Sequence, residues 1–322
     1  MEGVGEVQRT KANDRIADAI LTSDLHLTDT PPVSRTDNYQ EAQENKLQFL
    51  QKLSNQNDYC PILCAGDTFH QWKASPWLMQ WVFYNLPRPF ITIPGNHDLP
   101  GHSLLEYDRS ALHLIEAVSD DITVLIEGIV ETDNLFIVGR PFGTLDTFDP
   151  EEIQYPEGKR RILMLHELTW QDTNPFWRKG AADYTAQGLL AKYGAYFDLI
   201  LTGDNHSGFV SAQDDAILVN PGSMLRISAD KAEYVPRCYL YYADTNTVTA
   251  VDYPIEKNVH NREHIDIKRE RDERIAAYIE RMGTDWEIGL SFSKNLEAFF
   301  VENAVPKKVR DIIYQSLEKG QK

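Results

Sequence analysis

The chain has 322 residues, of which 42% are hydrophobic and 11% aromatic, and this composition excludes the disordered and fibrous classes. Its 32 basic and 49 acidic residues give a formal net charge of −17, which by itself opposes binding to nucleic acids and to anionic membranes. No apolar run approaches the roughly 20 residues of a membrane span.

The N-terminal residues 1–18 lack the apolar segment of a secretory signal, so we expect a cytoplasmic protein. Three cysteines, Cys60, Cys64 and Cys238, match neither a disulfide framework nor a paired zinc site. We therefore expect them to be buried thiols.

Residues 1–254 alternate short apolar runs with helical patterns, which is typical of an α/β domain. Apolar runs bounded by turn or charged residues predict buried strands at 19–23, 62–65, 90–94, 162–165 and 199–202. Between them, the apolar spacing predicts helices over 39–53, 76–86, 110–118 and 185–192.

The pattern changes from Phe209 onward. Hairpin-like strands, which predict a second and more antiparallel sheet, are expected at 209–211, 216–220, 239–243 and 247–251. Beyond Pro254 the pattern is helical, over 268–282, over 295–302, and in a last helix opened by Pro306 and closed by Gly320. The acidic excess lies entirely before this point, because residues 255–322 hold equal numbers of basic and acidic side chains. We predict two domains, 1–254 and a helical tail, 255–322.

Metal-capable side chains follow directly after the five predicted strands of the α/β region. Loops at the carboxyl ends of such strands meet in one crevice, so residues about 180 positions apart can form a single site. A pair of divalent ions needs a bridging carboxylate, imidazoles and further oxygen ligands. The segments that supply them are Asp24-Leu25-His26, Gly66-Asp67, Gly95-Asn96-His97-Asp98, His166 and Gly203-Asp204-Asn205-His206. One such residue alone is more often a turn residue, but the joint pattern predicts a two-metal site.

These motifs, in this order, resemble the calcineurin-like metallophosphoesterases. The resemblance extends through Asn220-Pro221-Gly222-Ser223 and covers about two thirds of the chain. It implies a four-layer αββα sandwich, here with a C-terminal helical extension. It also implies one metal held by Asp24, His26, Asp67 and His206, and another held by Asp67, Asn96, His166 and Asp204.

By the same resemblance, His97 faces the substrate and protonates the leaving alkoxide, and Asp98 orients the His97 imidazole. The chain departs from the family at Asp204, where a histidine is usual. An added carboxylate shifts the preference of the site from zinc toward Mn²⁺ or Mg²⁺. We therefore expect two divalent ions, with Mn²⁺ as the first candidate.

Two further motifs, Ser23-Asp24-Leu25-His26-Leu27 and Gly66-Asp67-Thr68-Phe69-His70, resemble the nuclease subunit of DNA double-strand-break repair complexes, of the SbcD type and its archaeal and eukaryotic meiotic-recombination counterparts. The segment 32–37, followed by 43–49, resembles compact versions of this subunit encoded by bacteriophages of bacterial hosts. That resemblance implies an exonuclease, with endonuclease activity left open, in which His70 contacts the substrate phosphate. A helix-cap role for His70 is the structural alternative. The implied partners are DNA and an SbcC-type ABC ATPase, and the tail would bind the base of the coiled coil of that ATPase. No membrane contact is implied.

Several alternatives remain open at this point. The apolar segment 76–86 is either buried in the core or part of a homodimer bundle, and the tail docks either on the ATPase or on the catalytic domain. Trp170, Trp177, Arg178 and Lys179 lie on the loop after His166 and either contact nucleic acid or pack on the protein. A small-molecule phosphodiesterase and a non-catalytic scaffold are the rival functions.

Overall fold

The computed structural model describes residues 15–172, 184–228, 231, 233–257, 259–261, 292–303 and 305–319. The chain divides into two compact units, Met1–His264 and Ile265–Lys322.

The described strands are, in chain order, β1 (Ala19–Thr22), β2 (Ile62–Cys64), β3 (Phe90–Thr92), β4 (Ile122–Val124), β5 (Ile129–Glu131), β6 (Leu135–Arg140), β7 (Arg160–Leu165), β8 (Thr169–Trp170), β9 (Tyr184–Thr185), β10 (Leu199–Thr202), β11 (Phe209–Gln213), β12 (Ala216–Asn220), β13 (Arg237–Tyr242) and β14 (Thr247–Asp252). The described α-helices are α1 (Tyr39–Gln56), α2 (Pro76–Asn85), α3 (Ala111–Ala117), α4 (Ala186–Tyr193), α5 (Phe292–Glu302) and α6 (Lys307–Lys319). Short 3₁₀ turns lie between α2 and α3 and between β6 and β7.

Two six-stranded sheets form the frame of the first unit. One has the order β14-β13-β1-β2-β3-β4, and the other has the order β11-β12-β10-β7-β6-β5. The central strands of each sheet run parallel, β1 with β2 and β3 in the first and β12 with β10 and β7 in the second. The carboxyl ends of the parallel strands within each sheet therefore share one edge, which is the geometry that brings their following loops together.

Alternation of side chains along the strands divides the core into layers. One face of the first sheet packs on α1, α2 and α3, through residues such as Ile20, Ile62, Phe90, Leu47, Val82 and Leu112. The other face meets the second sheet, through residues such as Leu21, Leu63, Ile91, Ile137, Met164 and Leu201. The outer face of the second sheet packs on α4, through residues such as Leu163, Ile200, Leu218, Leu189 and Tyr193. This arrangement confirms the α/β fold with four αββα layers.

The helices begin where the sequence offers caps. Asn38 accepts a hydrogen bond from the backbone amide of Glu41, and Ser75 accepts one from that of Leu78 with Pro76 in the first turn. Side-chain acceptors at these positions satisfy backbone amides that the first helical turn leaves free.

The prediction that the strands from 209 to 254 form a second, more antiparallel sheet is wrong, because they divide between the two sheets. β11 pairs antiparallel with β12 at the edge of one sheet, whereas β13 and β14 extend the other sheet through an antiparallel pairing of β13 with β1. Hairpin signals report local pairing only, and the edge on which each hairpin lands depends on contacts distant in sequence. Strands β4, β5 and β6 were not predicted, although β6 is buried along most of its length.

The described part of the second unit consists of α5 and α6. Arg310 donates through Nε to the carbonyl of Val305 at 2.6 Å, and its guanidinium lies over the Phe300 ring. This contact joins α6 to the end of α5. The predicted helix over 268–282 lies outside the described residues.

The cysteine prediction is confirmed. Cys60, Cys64 and Cys238 are free thiols, and each is buried. Among the described residues, no helix is both long and apolar enough to cross a bilayer.

Candidate metal centre

The loops that follow β1 and β2 lie side by side and carry three of the predicted ligands. The amide of Asp24 donates to the carbonyl of Gly66 at 3.1 Å, and the amide of His26 donates to the carbonyl of Asp67 at 2.9 Å. The pairing of the two strands thus continues past their ends. Asp24, His26 and Asp67 are each at most 1% exposed.

Four of the predicted ligands have left-handed backbone conformations, with φ of 51° at Asp24, 47° at His26, 52° at Asp67 and 67° at Asp204. This region is uncommon for residues other than glycine and costs roughly 1–3 kcal/mol per residue. Such strain persists where the surrounding structure imposes it, and it clusters at functional sites. Here it redirects each side chain at the point where its strand ends.

Three glycines leave the space in which the ligands sit. A Cβ at Gly66 would lie 2.3 Å from Nδ1 of His166, and one at Gly203 would lie 2.7 Å from the same atom. A Cβ at Gly95 would lie 2.2 Å from Oδ1 of Asp67 and 2.8 Å from Cε1 of His166. No larger residue fits at these positions unless the ligands move.

The first ligand group consists of Asp24, His26 and His206. The Nε2 atoms of His26 and His206 are 3.0 Å apart, and His26 Nε2 is 3.6 Å from Oδ2 of Asp67. Oδ1 of Asp24 lies 3.8 Å from Nε2 of His206. Burial lowers the pKa of His26 well below its usual value and so favours the neutral imidazole, which is the form that binds a metal.

The second ligand group consists of Asp24, Asp67 and His166. Nδ1 of His166 lies 2.6 Å from the carbonyl of Ala65, to which it can only donate. Nε2 of His166 then faces Oδ1 of Asn96 at 3.0 Å and Oδ1 of Asp67 at 3.5 Å. A backbone carbonyl that fixes the tautomer in this way is the usual support of a metal-binding histidine.

The charge of this group needs compensation. Burial opposes a charge on His166, yet the Asp67 carboxylate raises the pKa of that imidazole well above its usual value. Burial likewise opposes a charge on Asp67, but the His166 imidazole holds the pKa of Asp67 well below its usual range. Burial raises the pKa of Asp24. A cation among these three side chains would satisfy both carboxylates and leave the imidazole neutral.

Three buried polar atoms support the fit of this donor set to metal ions. Oδ2 of Asp24, Oδ2 of Asp67 and Nδ1 of His26 have no hydrogen-bond partner among the described residues. Buried polar atoms of this kind are normally paired, and a bound ion is one of the explanations for the exceptions. Carboxylates and imidazoles that converge in this way suit divalent ions.

Asp204 lies beside this centre. Its backbone amide donates to Oδ1 of Asp24 at 3.1 Å, and its carboxylate contributes to the raised pKa of His166. The carboxylate belongs to none of the three compact groups of potential ligands among the described residues, the third of which consists of His26, His70 and His97. Its role as a ligand stays a prediction.

His97 and His70 line the side of the centre next to His26. The amide of His97 donates to Oδ1 of Asp67 at 2.9 Å, and its ring centroid is 4.9 Å from that of His26. The His70 and His97 rings are stacked with centroids 5.6 Å apart, and the His70 ring is 5.5 Å from that of His26. Burial and the adjacent His97 lower the pKa of His70.

The support of the His97 ring differs from the expectation. Nδ1 of His97 lies 2.8 Å from the backbone carbonyl of His70, so this carbonyl orients the imidazole and leaves Nε2 for the substrate. The Asp98 carboxylate instead accepts backbone amides of Thr68, Phe69 and Gly95 at 2.9–3.2 Å. Asp98 therefore ties the loop that carries Asp67 to the loop that carries Asn96 and His97. Burial and the nearby Asp67 charge raise the pKa of Asp98 to about 7.

Two residues near the centre were not predicted. Glu167 follows His166, its carboxylate accepts the amide of Gly143 at 3.2 Å, and burial raises its pKa to about 7. Nδ1 of His102 lies 3.0 Å from the carbonyl of Asn96. Neither belongs to a recognisable motif, so only the fold reveals that they lie here. Trp170 belongs to β8, whereas Trp177, Arg178 and Lys179 lie outside the described residues.

Fold and site together define a metal-dependent phosphoesterase. Residues 19–208, more than half of the chain, match the family model of the calcineurin-like phosphoesterases, and the chain belongs to this family. The family depends on two metal ions, and the His/Asp groups described above are candidates to hold them.

Two solved structures are distantly similar. One is a novel archaeal phosphodiesterase, at 12% identity over 73% of this chain and 98% of that one, with a TM-score of 0.40. The other is a candidate 5′-nucleotidase from Staphylococcus aureus, at 12% identity over 80% of this chain and 58% of that one, with a TM-score of 0.46. No match was found among the curated proteins.

Proposed function

We propose that this phosphoesterase is a two-metal phosphodiesterase that acts on DNA, as the nuclease subunit of a repair or recombination complex with an SbcC-type ATPase. The observation that carries the proposal is the position of His70 beside His26 and His97. The His70 amide donates to the carbonyl of Leu27, and Leu27 pairs with Phe69. The ring is thus held at the rim of the centre by its own backbone.

This position distinguishes His70 from a helix cap. The helix that follows begins at Pro76 and is capped by Ser75, so the His70 side chain is not used for capping. Its ring is half-buried, with one face on His97, and its lowered pKa keeps it neutral near pH 7. A neutral imidazole at the rim can donate or accept a hydrogen bond at a substrate phosphate.

Each side chain of the centre has a role in phosphodiester hydrolysis. Asp24, His26, Asp67 and His206 would hold one ion, and Asp67, Asn96, His166 and Asp204 the other. The ions, when bound, supply positive charge to the phosphate and acidify a water molecule. His97 donates a proton from Nε2 to the leaving alkoxide while Nδ1 stays bonded to the His70 carbonyl. We propose Mn²⁺ because the Asp204 carboxylate adds a hard oxygen donor.

An exposed apolar face on α2 and α3 supports a homodimer. The segment 76–86 buries Leu78 and Val82 against the core, but Trp77 is 51% exposed and Tyr84 is 74% exposed. Leu114 on α3 is 51% exposed. Apolar side chains that cluster on neighbouring helices are typical of an interface between subunits. Light scattering on the wild type and on Trp77→Glu/Tyr84→Glu tests this proposal: a dimer that becomes monomeric supports it.

The tail is the proposed contact with the ATPase. Val301 on α5 and Val309 on α6 are apolar and exposed. Helix α6 also carries Lys307, Lys308 and Arg310 in its first turn, next to apolar positions. Deleting residues 290–322 should leave a folded, metal-loaded enzyme that no longer co-purifies with the ATPase. A truncated chain that still co-purifies, or one that unfolds, would reject this contact.

The test of the nuclease is cleavage of linear and circular duplex DNA with Mn²⁺, with and without the ATPase, and with His97→Ala as the inactive control. Degradation of linear duplex supports the exonuclease, and nicking of circular DNA adds endonuclease activity.

The second candidate is a phosphodiesterase for a small nucleotide. The net charge of −17 favours a small substrate over a long polyanion. Hydrolysis of cyclic or dinucleotides with no cleavage of DNA would select it. A scaffold role would require that neither substrate is hydrolysed.

A further inference from the structure

A cavity of about 330 Å³ adjoins the metal centre on the side of His70. Its walls come from two segments, the loop after β1 (residues 27–33) and the segment from His70 to Ser75, closed by Tyr39, Leu78 and Ile227. A hydrogen bond from Ser75 to Asp29 joins the two segments. The volume lies at the lower end of the range for small-ligand sites, about 300–1,000 Å³.

His70 is the wall that the cavity and the metal centre share. It lines the cavity, and its ring also stacks on His97 and contacts the edge of the His26 ring. A phosphodiester at the metals has two organic arms. An arm that leaves the phosphate on the side of His97 would pass His70 on its way to the cavity.

The lining suits a flat group with polar edges. Leu27, Pro31, Val33, Ala74 and Leu78 give apolar surface, while Thr28, Asp29, Gln71 and Lys73 add polar groups. The aromatic ring of Tyr39 is stacked under the Arg35 guanidinium, with 4.9 Å between the guanidinium carbon and the ring centroid. A nucleobase has two apolar faces and a hydrogen-bonding edge, and this lining matches both features.

The Tyr39 hydroxyl is a second observation that points to a ligand. Tyr39 is only 4% exposed, and its hydroxyl has no hydrogen-bond partner among the described residues. A buried hydroxyl without a partner is unfavourable, so such groups are normally satisfied. A ligand with a carbonyl or ring nitrogen in the cavity would satisfy it.

We propose that this cavity binds the base of the nucleotide on the leaving-group side of the scissile phosphate. The proposal rests on the phosphodiesterase function above and adds the group that the enzyme recognises. Because His97 protonates the leaving alkoxide and stacks on His70, the cavity next to His70 receives the leaving nucleoside. Lys73, the one lysine or arginine among the lining residues, is placed to contact the next phosphate of that strand.

Binding measurements test this without any turnover. The ligands are three dinucleotides with a slowly cleaved phosphorothioate linkage: one with both bases, one without the 5′ base and one without the 3′ base. Their affinities are measured by calorimetry on the Mn²⁺-loaded wild type, on Tyr39→Phe and on Ala74→Trp, which fills the cavity. Ala212→Trp on β11, an exposed alanine, is the matched control.

Loss of one particular base should weaken binding to the wild type about tenfold, the effect of one stacked base. Ala74→Trp should weaken binding of the full dinucleotide by the same factor of about ten. It should not change the affinity for the dinucleotide that lacks this base. Tyr39→Phe should give a smaller loss, confined to ligands that carry the base. Ala212→Trp should change nothing.

Equal affinities for all three dinucleotides on the wild type overturn the proposal, and so does a base effect that keeps its full wild-type size in both Ala74→Trp and Tyr39→Phe. If Ala74→Trp does not fold, Tyr39→Phe decides alone. Failure of the nuclease proposal gives a different result, because a base-dependent affinity for dinucleotides would persist while duplex DNA stays intact.

Discussion

Gly95→Ala tests whether close backbone packing sets the geometry of the metal centre. A Cβ at this position would lie 2.2 Å from Oδ1 and 2.4 Å from the backbone nitrogen of Asp67. Ordinary contacts begin near 3.4 Å, so the two loops must separate by about 1 Å. Asp67 is the proposed bridge between the ions. Its backbone nitrogen cannot rotate away from the added Cβ as a flexible side chain could. A displacement of this size costs roughly 1–3 kcal/mol of stability and about 100-fold in activity.

The assay combines metal content by mass spectrometry, hydrolysis of bis(p-nitrophenyl) phosphate across a Mn²⁺ titration, and the free energy of unfolding in urea. We expect the Mn²⁺ affinity to fall about 10–100-fold, the range for residues that orient ligands. Gly128→Ala is the control, because a Cβ there meets nothing closer than 3.6 Å. If Gly95→Ala keeps wild-type metal content and activity, the packing argument is refuted.

Three further predictions follow from individual side chains. His97→Ala should keep both metals and lose about 10²–10⁴-fold in hydrolysis, measured by metal analysis and initial rates, and loss of metal would contradict the assigned role. Mn²⁺ should support more activity than Zn²⁺ at equal occupancy, and Asp204→His should narrow that difference; a variant with an unchanged ratio would argue against Asp204 as a ligand. Burial, together with the nearby Arg226 and Arg35, lowers the pKa of Lys46 from 10.5 to about 7. Between these two pH values the unfolded chain binds more protons than the folded chain, so the free energy of unfolding rises with pH in that range. Lys46→Met should flatten this rise by up to about 1.4 kcal/mol per pH unit in urea unfolding at pH 7.5–9.5, and an unchanged slope would disprove the assignment.

Sequence patterns predicted the parallel core because its strands carry their own signal. Continuous apolar runs such as Ile62–Cys64 and Leu199–Thr202 are buried on both faces, and only a sheet covered by helices or a second sheet produces that pattern. Strand β5 is short and largely exposed, so its composition carries little information. The partners of β13 and β14 depend on β1, more than 200 residues earlier, and no local pattern encodes that choice.

The clustering of these carboxylates and imidazoles was predictable, but the way the side chains are held was not. Asp24 and His26 predict a metal site because a carboxylate and an imidazole directly follow a buried strand. The carbonyl of Ala65 that fixes His166, and that of His70 that fixes His97, are backbone atoms and have no sequence signature. Asp98 shows how far the sequence goes. Its place in the Gly95-Asn96-His97-Asp98 motif predicts that it lies at the site, but only the fold shows the three backbone amides that it accepts.

The acidic charge of the chain makes metal loading a condition for binding a phosphodiester. Three carboxylates, Asp24, Asp67 and Asp204, surround the centre and repel a phosphate when no cation is present. Two divalent ions reverse the sign locally, since four positive charges exceed three negative ones. Fields of this kind act within a Debye length of about 8–10 Å, so the remaining acidic surface is largely screened at the site but still opposes a long polyanion elsewhere. The substrate must therefore be held by short-range contacts near the metals, which is the role proposed for His70 and the adjoining cavity, or by a partner that brings its own positive charge.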